Sequence, residues 1–191
     1  RGVHRLFLRL CSSSPMLQEA SAAGFIGYQK EYLLHGRGLQ NGHTLPSTLP
    51  QLRSRAASDD YPLFRLYQAA TPAQARMVEG TTFQEWQDAQ ERGWDRGHRS
   101  EYVDEREGQL VGWLQVTDAE KVGYLDVLAS PEDGALADAL VDVGRSALAN
   151  KETLVSLVRE GDAALLGSLR ERGFEPVNEY VCLVKQVTAR V

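Results

Sequence analysis

The chain has 191 residues and a formal net charge of −5; 42% of its residues are hydrophobic and 25% are charged. These proportions are typical of a folded globular protein and exclude collagen, a wholly disordered chain and a nucleic-acid binder that depends on overall basic charge. At about 100–200 residues per domain, we expect one domain, or one domain and a fragment.

Neither the cysteines nor the histidines are spaced for a metal site. Cys11 and Cys182 stand far apart, and no two histidines are four residues apart. We therefore predict no metal, no disulfide framework and a reducing, cytoplasmic location. No apolar run approaches the roughly 18–20 residues of a membrane helix, so no membrane partner is predicted.

The charges are unevenly distributed along the chain. Residues 1–55 contain seven Lys/Arg and two Asp/Glu, whereas residues 56–191 contain fourteen and twenty-four. The basic residues of the first part are scattered among Leu, Phe and Tyr, which favours an ordinary solvated face over a nucleic-acid patch. No nucleic-acid partner is predicted.

A pattern recurs at a spacing of 149 residues. Gly24-Phe25 matches Gly173-Phe174, and a strand-like run precedes each match. If the spacing is shortened by one residue, Glu31-Tyr32 also matches Glu179-Tyr180. A repeat of this length predicts that the chain begins with the tail of one unit and then contains a complete second unit.

The repeat and the composition together divide the chain into three parts. The middle part is punctuated by Gly and Pro and has no apolar period, as a linker does. The chain also begins at Arg1, inside a predicted strand, which favours a truncated start. We interpret the parts as the end of a preceding lobe (1–34), a linker (35–60) and a domain (61–191).

The elements of residues 61–191 follow in a definite order. They are a strand at 63–69, a helix from Thr71-Pro72, a helix at 83–91, a hairpin of 101–106 and 109–116, a strand at 122–128, a helix from Ser130 to about 149, a strand at 154–159, a helix at 162–172 and a strand at 175–187. Two strands joined through a helix are most simply parallel, whereas hairpin strands are antiparallel. We therefore predict a mixed sheet in an α/β layered domain.

Four stretches in this order carry a resemblance. They are the hairpin 102–114, the strand 123–128 before a helix opening at Ser130-Pro131, the helix end 169–177 with Glu171-Arg172-Gly173-Phe174, and the closing strand 180–185. The arrangement resembles the GNAT family of N-acetyltransferases. The resemblance implies a mostly antiparallel sheet, acetyl-CoA as co-substrate, a small-molecule or protein amine as acceptor, and a preceding lobe of the same chain as partner.

The resemblance also implies a cofactor site. In that family two parallel strands splay apart around acyl-CoA, and amides at the following helix N-terminus bind the pyrophosphate. The corresponding residues here are Val127, Leu128, Ala129, Gly134 and Ala135.

That cofactor site departs from the family pattern. The family signature is Gln/Arg-x-x-Gly-x-Gly/Ala, yet residues 128–140 contain no Arg, Lys or Gln. Ser130 and Asp133 resemble a capping box, and Glu132 and Asp133 would repel an anion. We expect this lobe to bind acyl-CoA weakly, or not in the usual manner.

Asp126 is the strongest candidate for a general base. Its apolar neighbours would raise the pKa of a partly buried carboxyl, although an alternating strand could also point Asp126 to solvent. Leu169 occupies the position of the family's proton-donating tyrosine, as Ala20 does in the preceding lobe. Candidate donors are therefore Tyr124 and Tyr180. Further candidates are Glu101, Asp104 and Glu105 as bases, and Trp86 and Trp113 as pocket walls.

Two functions remain open from the sequence. The first is an N-acyltransferase that moves an acyl group from acyl-CoA to an amine, for which the acidic domain would suit a cationic acceptor. The alternative is a non-catalytic lobe that acts as structural support or as a ligand sensor. The loop at 93–97 is predicted as a plain helix exit.

Overall fold

The computed structural model describes residues 5–38, 51–91 and 97–187. The strands are β1 Arg5–Cys11, β2 Ile26–Arg37, β3 Leu52–Ser54, β4 His98–Arg106, β5 Gln109–Ala119, β6 Val122–Ala129, β7 Thr153–Arg159 and β8 Glu175–Gln186. The helices are α1 Met16–Ala22, α2 Asp60–Ala70, α3 Ala73–Glu79, α4 Phe83–Glu91, α5 Gly134–Ala147 and α6 Ala163–Glu171, with a short 3-10 helix, Ala57–Asp59, before α2.

The strands form one sheet in the order β1-β8-β2-β7-β6-β5-β4-β3. Neighbours are antiparallel except for β6 and β7, which are parallel and are joined through α5. The predicted hairpin is confirmed, since β4 and β5 pair around a turn in which Glu107 and Gly108 have φ angles of 51° and 74°. The prediction of a mixed, mostly antiparallel sheet with a parallel strand–helix–strand unit is therefore confirmed.

Two β-α-β segments interleave in the first half of this sheet. β8 lies between β1 and β2, and β2 lies between β8 and β7. Exchanging β1-α1-β2 with β7-α6-β8 maps this strand order onto itself. The register has the same symmetry, because Glu31 pairs with Tyr180 while Tyr32 pairs with Glu179. A pseudo-two-fold axis therefore passes between β2 and β8.

The helices of the two segments end in the same way. The amides of Phe25 and Phe174 each donate to the carbonyl five residues earlier, at 3.0 Å in both cases. The preceding residues, Gly24 and Gly173, have φ angles of 86° and 80°. Glycine adopts this left-handed conformation without a steric penalty, which explains the Gly-Phe pair in each segment.

Helices cover both faces of the sheet. On one face α5 and α6 bury the larger core, which includes Leu114, Leu125, Leu140 and Leu169. On the other face α2 and α4 bury a second cluster, which consists of Leu63, Leu66, Trp86, Val103 and Trp113. Consecutive residues of β5 therefore point to opposite faces, as the pleat of a strand requires.

The predicted strand at 63–69 is wrong, because these residues lie in α2. Leu63, Leu66 and Ala70 are spaced three and four residues apart, which is the period of a helix face, and both leucines are buried. α3 begins at Ala73, one residue after the predicted Pro72.

Both ends of the predicted linker join the sheet. β2 continues to Arg37, and β3 pairs with β4 over residues 52–54. The middle of the linker, residues 39–50, lies outside the described residues. In the parts of the chain that the structure describes, no helix is both long and apolar enough to cross a bilayer.

Candidate active site

The sheet opens between its two parallel strands. β6 and β7 pair only from Val122–Tyr124 to Thr153–Val155. Beyond this point β6 stays paired with β5 up to Ala129, and β7 stays paired with β2 up to Arg159. Each strand is held on its outer side, so a gap separates their carboxyl-terminal halves.

This gap leads into a cavity of about 690 Å³. The last turn of α2 and the residue before α3 cover it with Tyr67, Ala70 and Pro72, while residues from every strand except β3 form its floor. Asp162 and Leu165, from the start of α6, also line it, although α6 lies on the opposite face. The cavity therefore passes through the sheet at the gap.

Asp126 lies in the floor of the cavity. Leu125 is 1% exposed in the core on the other face, so strand alternation turns Asp126 into the cavity. The amide nitrogen of Gln115 donates to its carboxylate at 3.2 Å. Burial raises the pKa of Asp126 to about 6, while the positive charge of Arg99 opposes that rise. A carboxyl with this pKa is largely ionised at pH 7 and can still accept a proton.

The other three predicted carboxylates are engaged in ion pairs. Glu101, Asp104 and Glu105 lie 3.0, 2.9 and 2.6 Å from the guanidinium groups of, respectively, Arg99, Arg106 and Arg53. Asp104 is also 2% exposed. None of the three has the setting of Asp126.

Two tyrosines reach the cavity. Tyr124 lies two residues before Asp126 on the same face of β6, and Tyr180 reaches the cavity from β8. Leu169, which occupies the position of the family's tyrosine, is fully buried in the core and carries no proton to donate. A proton donor from this chain must therefore come from another element.

Backbone amides at the N-terminus of α5 already have hydrogen-bond partners within the protein. Asp133, rather than the predicted Ser130, is the N-cap, and its carboxylate accepts from the amide of Ala135 at 3.2 Å. The amide of Ser130 donates to the carbonyl of Val111 at 2.7 Å, and that of Asp133 donates to the Ser130 carbonyl at 3.1 Å. The intervening Pro131 has no amide hydrogen. Few backbone N–H groups at this end of α5 therefore remain free to bind an anion.

The predicted cofactor residues fall into two groups. Val127 and Leu128 line the cavity, whereas Ala129, Gly134 and Ala135 do not. A Cβ added at Gly134 would meet no atom within 4 Å, so this residue faces open space. The structure thus brings the catalytic candidates together with the strand residues but not with the helix N-terminus.

Arg106 supplies a cation that the sequence analysis missed at α5. Its guanidinium lies 2.7 Å from Asp133 and 2.9 Å from Asp104. These two hydrogen bonds raise the pKa of Arg106 above its usual range. The residue is 27 positions from Asp133, so no local motif could reveal the contact. The negative charge of Asp133 is therefore paired.

Three arginines that the sequence did not single out also line the cavity. They are Arg9, Arg99 and Arg159, from three different strands. Arg159 donates to Thr71 at 2.8 Å and to the hydroxyl of Tyr67 at 3.1 Å, which ties the cover of the cavity to β7. The acidic excess expected to attract a cationic acceptor is therefore not concentrated in this cavity.

The remaining candidates lie as follows. Trp113 lines the cavity and donates to Glu101 at 3.0 Å, and Trp86 packs in the second core cluster. The described residues contain no group of three or more His, Cys, Asp or Glu placed to hold a metal ion. Of the predicted loop at 93–97, residues 93–96 lie outside the described residues.

Comparison with known proteins identifies the fold. No family model matches the chain, and no curated protein matches it. Among solved structures, a GCN5-related N-acetyltransferase of Sphaerobacter thermophilus superposes with a TM-score of 0.60 at 16% identity, over 98% of this chain and 62% of that one. The chain thus spans less than two thirds of this neighbour.

Two further neighbours extend the comparison. A tandem GNAT protein of the clavulanic acid biosynthesis pathway gives a TM-score of 0.60 at 13% identity, over 98% of this chain and 66% of that one. Saccharomyces cerevisiae N-myristoyltransferase, solved with bound myristoyl-CoA, gives 0.55 at 14% identity, over 98% of this chain and 52% of that one. The chain has the GNAT acyl-CoA N-acyltransferase fold.

Proposed function

We propose that the protein is an N-acyltransferase that moves an acyl group from an acyl-CoA thioester to an amine. The observation that carries this proposal is the gap between β6 and β7, which leads to Asp126 in the floor of the cavity. The GNAT fold, and a structural neighbour solved with bound myristoyl-CoA, support the same reaction class.

In this reaction the amine nitrogen attacks the thioester carbonyl carbon, forming an N–C bond and breaking the C–S bond. The Asp126 carboxylate accepts the proton that the amine loses. The departing sulfur takes a proton from the hydroxyl of Tyr124, and Asp126 then returns its proton through water to the Tyr124 phenolate, which restores both groups. The acyl thioester supplies the activated carbonyl, while this chain orients the amine and moves the protons.

The residues of the cavity fit the acyl thioester of acyl-CoA better than the residues at the start of α5 fit its pyrophosphate. The gap and the apolar walls formed by Leu33, Val155 and Val158 suit an acyl chain and its thioester. The N-terminus of α5 does not suit a pyrophosphate, because the amides of Ser130, Asp133 and Ala135 already have partners and Arg106 is already paired. Any diphosphate is therefore held elsewhere or weakly.

This self-capped N-terminus favours a second candidate function. A lobe that keeps the fold but not the diphosphate site would support, or sense a ligand for, a catalytic lobe. The pseudo-two-fold axis between β2 and β8 supports the related proposal that residues 1–34 are the end of a preceding lobe. A Gln/Arg-x-x-Gly-x-Gly/Ala junction encoded upstream of Arg1 would place cofactor binding there.

Calorimetric titration with acetyl-CoA separates the two functions. The enzyme proposal requires binding that Ala70→Trp weakens at least tenfold, since Ala70 lines the cavity. Ala69→Trp is the matched control, because Ala69 is exposed on the same helix. No measurable binding to the wild-type chain would contradict the enzyme proposal and support the non-catalytic lobe. A dissociation constant below roughly 100 µM, about −5.5 kcal/mol, would contradict a lobe that has lost acyl-CoA binding.

A further variant tests the capped helix. Gly134→Asp adds a second negative charge at the N-terminus of α5 without a steric clash. Because we place no phosphate there, we expect acetyl-CoA affinity to change less than twofold. Loss of binding in this variant alone would show that the diphosphate does lie at the helix N-terminus.

A further inference from the structure

Arg99 lies where two cavities meet. It lines the main cavity and also a second one of about 470 Å³, which lies between the 3-10 helix region, α4 and β4. Its side chain is 32% exposed and lines both cavities. A cation is therefore presented to any molecule that enters the main cavity.

The guanidinium of Arg99 retains hydrogen-bonding capacity. One terminal nitrogen lies 3.0 Å from Glu101, while the buried Nε has no hydrogen-bond partner among the described residues. Glu101 also accepts from Arg55 and from the indole of Trp113. One carboxylate is thus shared among three donors, whereas a guanidinium carries five N–H groups in a fork suited to a second carboxylate.

In contrast to Glu101, the carboxylate of Asp126 has no cationic partner among the described residues. Gln115 donates to it, but no Lys, Arg or His of the described chain lies within ion-pair distance. Its charge therefore remains available to an ammonium group or to the proton of an amine. Among the charged residues that line the main cavity, Arg99 and Asp126 are thus a cation and an anion that form no ion pair with each other.

The strand register fixes the separation between the Cα atoms of Arg99 and Asp126. Glu101 is opposite Gln115, which is opposite Asp126, and Arg99 is two residues from Glu101 along β4. With strands about 4.8 Å apart and residues about 3.4 Å apart, the Cα atoms of Arg99 and Asp126 are roughly 12 Å apart. Both residues line the same cavity, whose volume of about 690 Å³ admits a small molecule.

We infer that the acceptor is a small amine that carries its own carboxylate, as a free amino acid does. Arg99 binds the carboxylate and Asp126 receives the proton of the amine. This inference rests on the proposed acyl transfer and names its acceptor class. A polyamine or a lysine side chain offers a cation without the neighbouring anion, and Arg99 would repel either of them.

Paired acceptors test this inference. Each of a panel of free amino acids is compared with its α-amide, which keeps the amine and removes the negative charge, and with a diamine and a lysine peptide. Thiol release from acetyl-CoA and the mass of the product report the transfer. We expect the amino acids to exceed their amides at least tenfold in kcat/KM.

Two variants test whether Arg99 is the residue that causes the preference for amino acids over their amides. Arg99→Gln should raise KM for amino acids at least tenfold, remove the preference over amides and leave acetyl-CoA affinity unchanged. Arg65→Gln removes the same charge from the exposed face of α2 and serves as the control. A preference for the diamine or peptide, or an unchanged preference in Arg99→Gln, would overturn the inference while acyl transfer itself stood.

A binding measurement does not depend on turnover. Thermal unfolding of the wild-type chain is followed with 10 mM amino acid or its amide. We expect stabilisation by the amino acid alone and its loss in Arg99→Gln. If no amino acid stabilises the wild-type chain more than its amide does, the inference is wrong even when acetyl-CoA fails to bind. Failure of acetyl-CoA binding alone would instead overturn the proposed function.

Discussion

Asp126 owes its chemistry to its depth in the sheet rather than to a charged partner. Burial raises its pKa to about 6, whereas Asp59, which lies 2.7 Å from Arg53, has a lowered pKa because the guanidinium stabilises its ionised form. The pKa of an aspartate is thus shifted in opposite directions by burial and by an arginine partner. Of these two carboxyls, Asp126 is the one that titrates closer to neutrality, as a general base requires.

We expect the rate of acyl transfer to rise with pH through a limb near pH 6. The folded-state pKa is raised, so Asp126 is protonated below this pH and cannot accept the proton of the amine. Asp126→Asn should lower kcat by about 10²–10⁴-fold and abolish the limb. The measurement is kcat/KM from pH 5 to 8 for one acceptor.

Glu120→Gln is the control, since Glu120 is exposed at the turn between β5 and β6. It should keep both the rate and the limb. A limb near pH 6 that survives in Asp126→Asn would belong to another group and would remove Asp126 from the mechanism.

At the scale of single elements, α5 depends on a close approach to the sheet. Gly144 is buried in this helix, and a Cβ added there would lie 2.2 Å from Leu125 and 3.1 Å from Leu114. Both leucines belong to the core and cannot move into solvent. The glycine is therefore required by packing, although alanine is the better helix former.

Gly144→Ala should lower the free energy of unfolding by about 1–3 kcal/mol, because overpacking outweighs the gain in helix propensity. Gly167→Ala in α6 is the matched change: its added Cβ meets nothing within 4 Å, so it should raise stability by about 0.5–1 kcal/mol. Urea denaturation of both variants measures the difference. Stabilisation by Gly144→Ala would show that α5 is not packed as described.

The success of sequence reasoning depended on how local each signal was. The hairpin at Glu107-Gly108 and the helix-ending Gly-Phe pairs were predictable, because turn chemistry is encoded by neighbouring residues. α2 was predicted wrongly because a short apolar run fits a strand or a helix equally well. The N-cap of α5 was predicted three residues early, because both Ser130 and Asp133 are good N-cap residues.

Signals that depend on distant residues could not be predicted. The pairing of Arg106 with Asp133 and the convergence of Arg9, Arg99 and Arg159 on one cavity follow from strand order, which periodicity does not specify. Asp126 was predictable as a candidate because its apolar neighbours are adjacent in sequence. Its orientation into the cavity required the sheet.

For the whole molecule, the interleaving makes β1 and β2 part of the main sheet. β8 has β1 on one side and β2 on the other. A chain without β1 and β2 would leave both edges of β8 unpaired and would expose core residues such as Phe174, which is 2% exposed.

Residues 51–191 alone should therefore not unfold cooperatively, whereas residues 5–187, which retain every described strand, should unfold as the full chain does. Circular dichroism during heating and limited proteolysis distinguish the two fragments. A protease-resistant 51–191 fragment with a sharp thermal transition would show that the interleaving is dispensable.

The position of β8 also has a consequence for biosynthesis. β2 leaves the ribosome 149 residues before its partner β8, which at roughly 5–20 residues per second is a delay of about 7–30 s. Until β7 emerges, late in this interval, the backbone groups of β2 have no permanent partner, and its β8 edge stays open to association with other nascent chains until β8 follows. A protein built in this way should depend on chaperones early in its synthesis and become independent of them once its final strand is inserted.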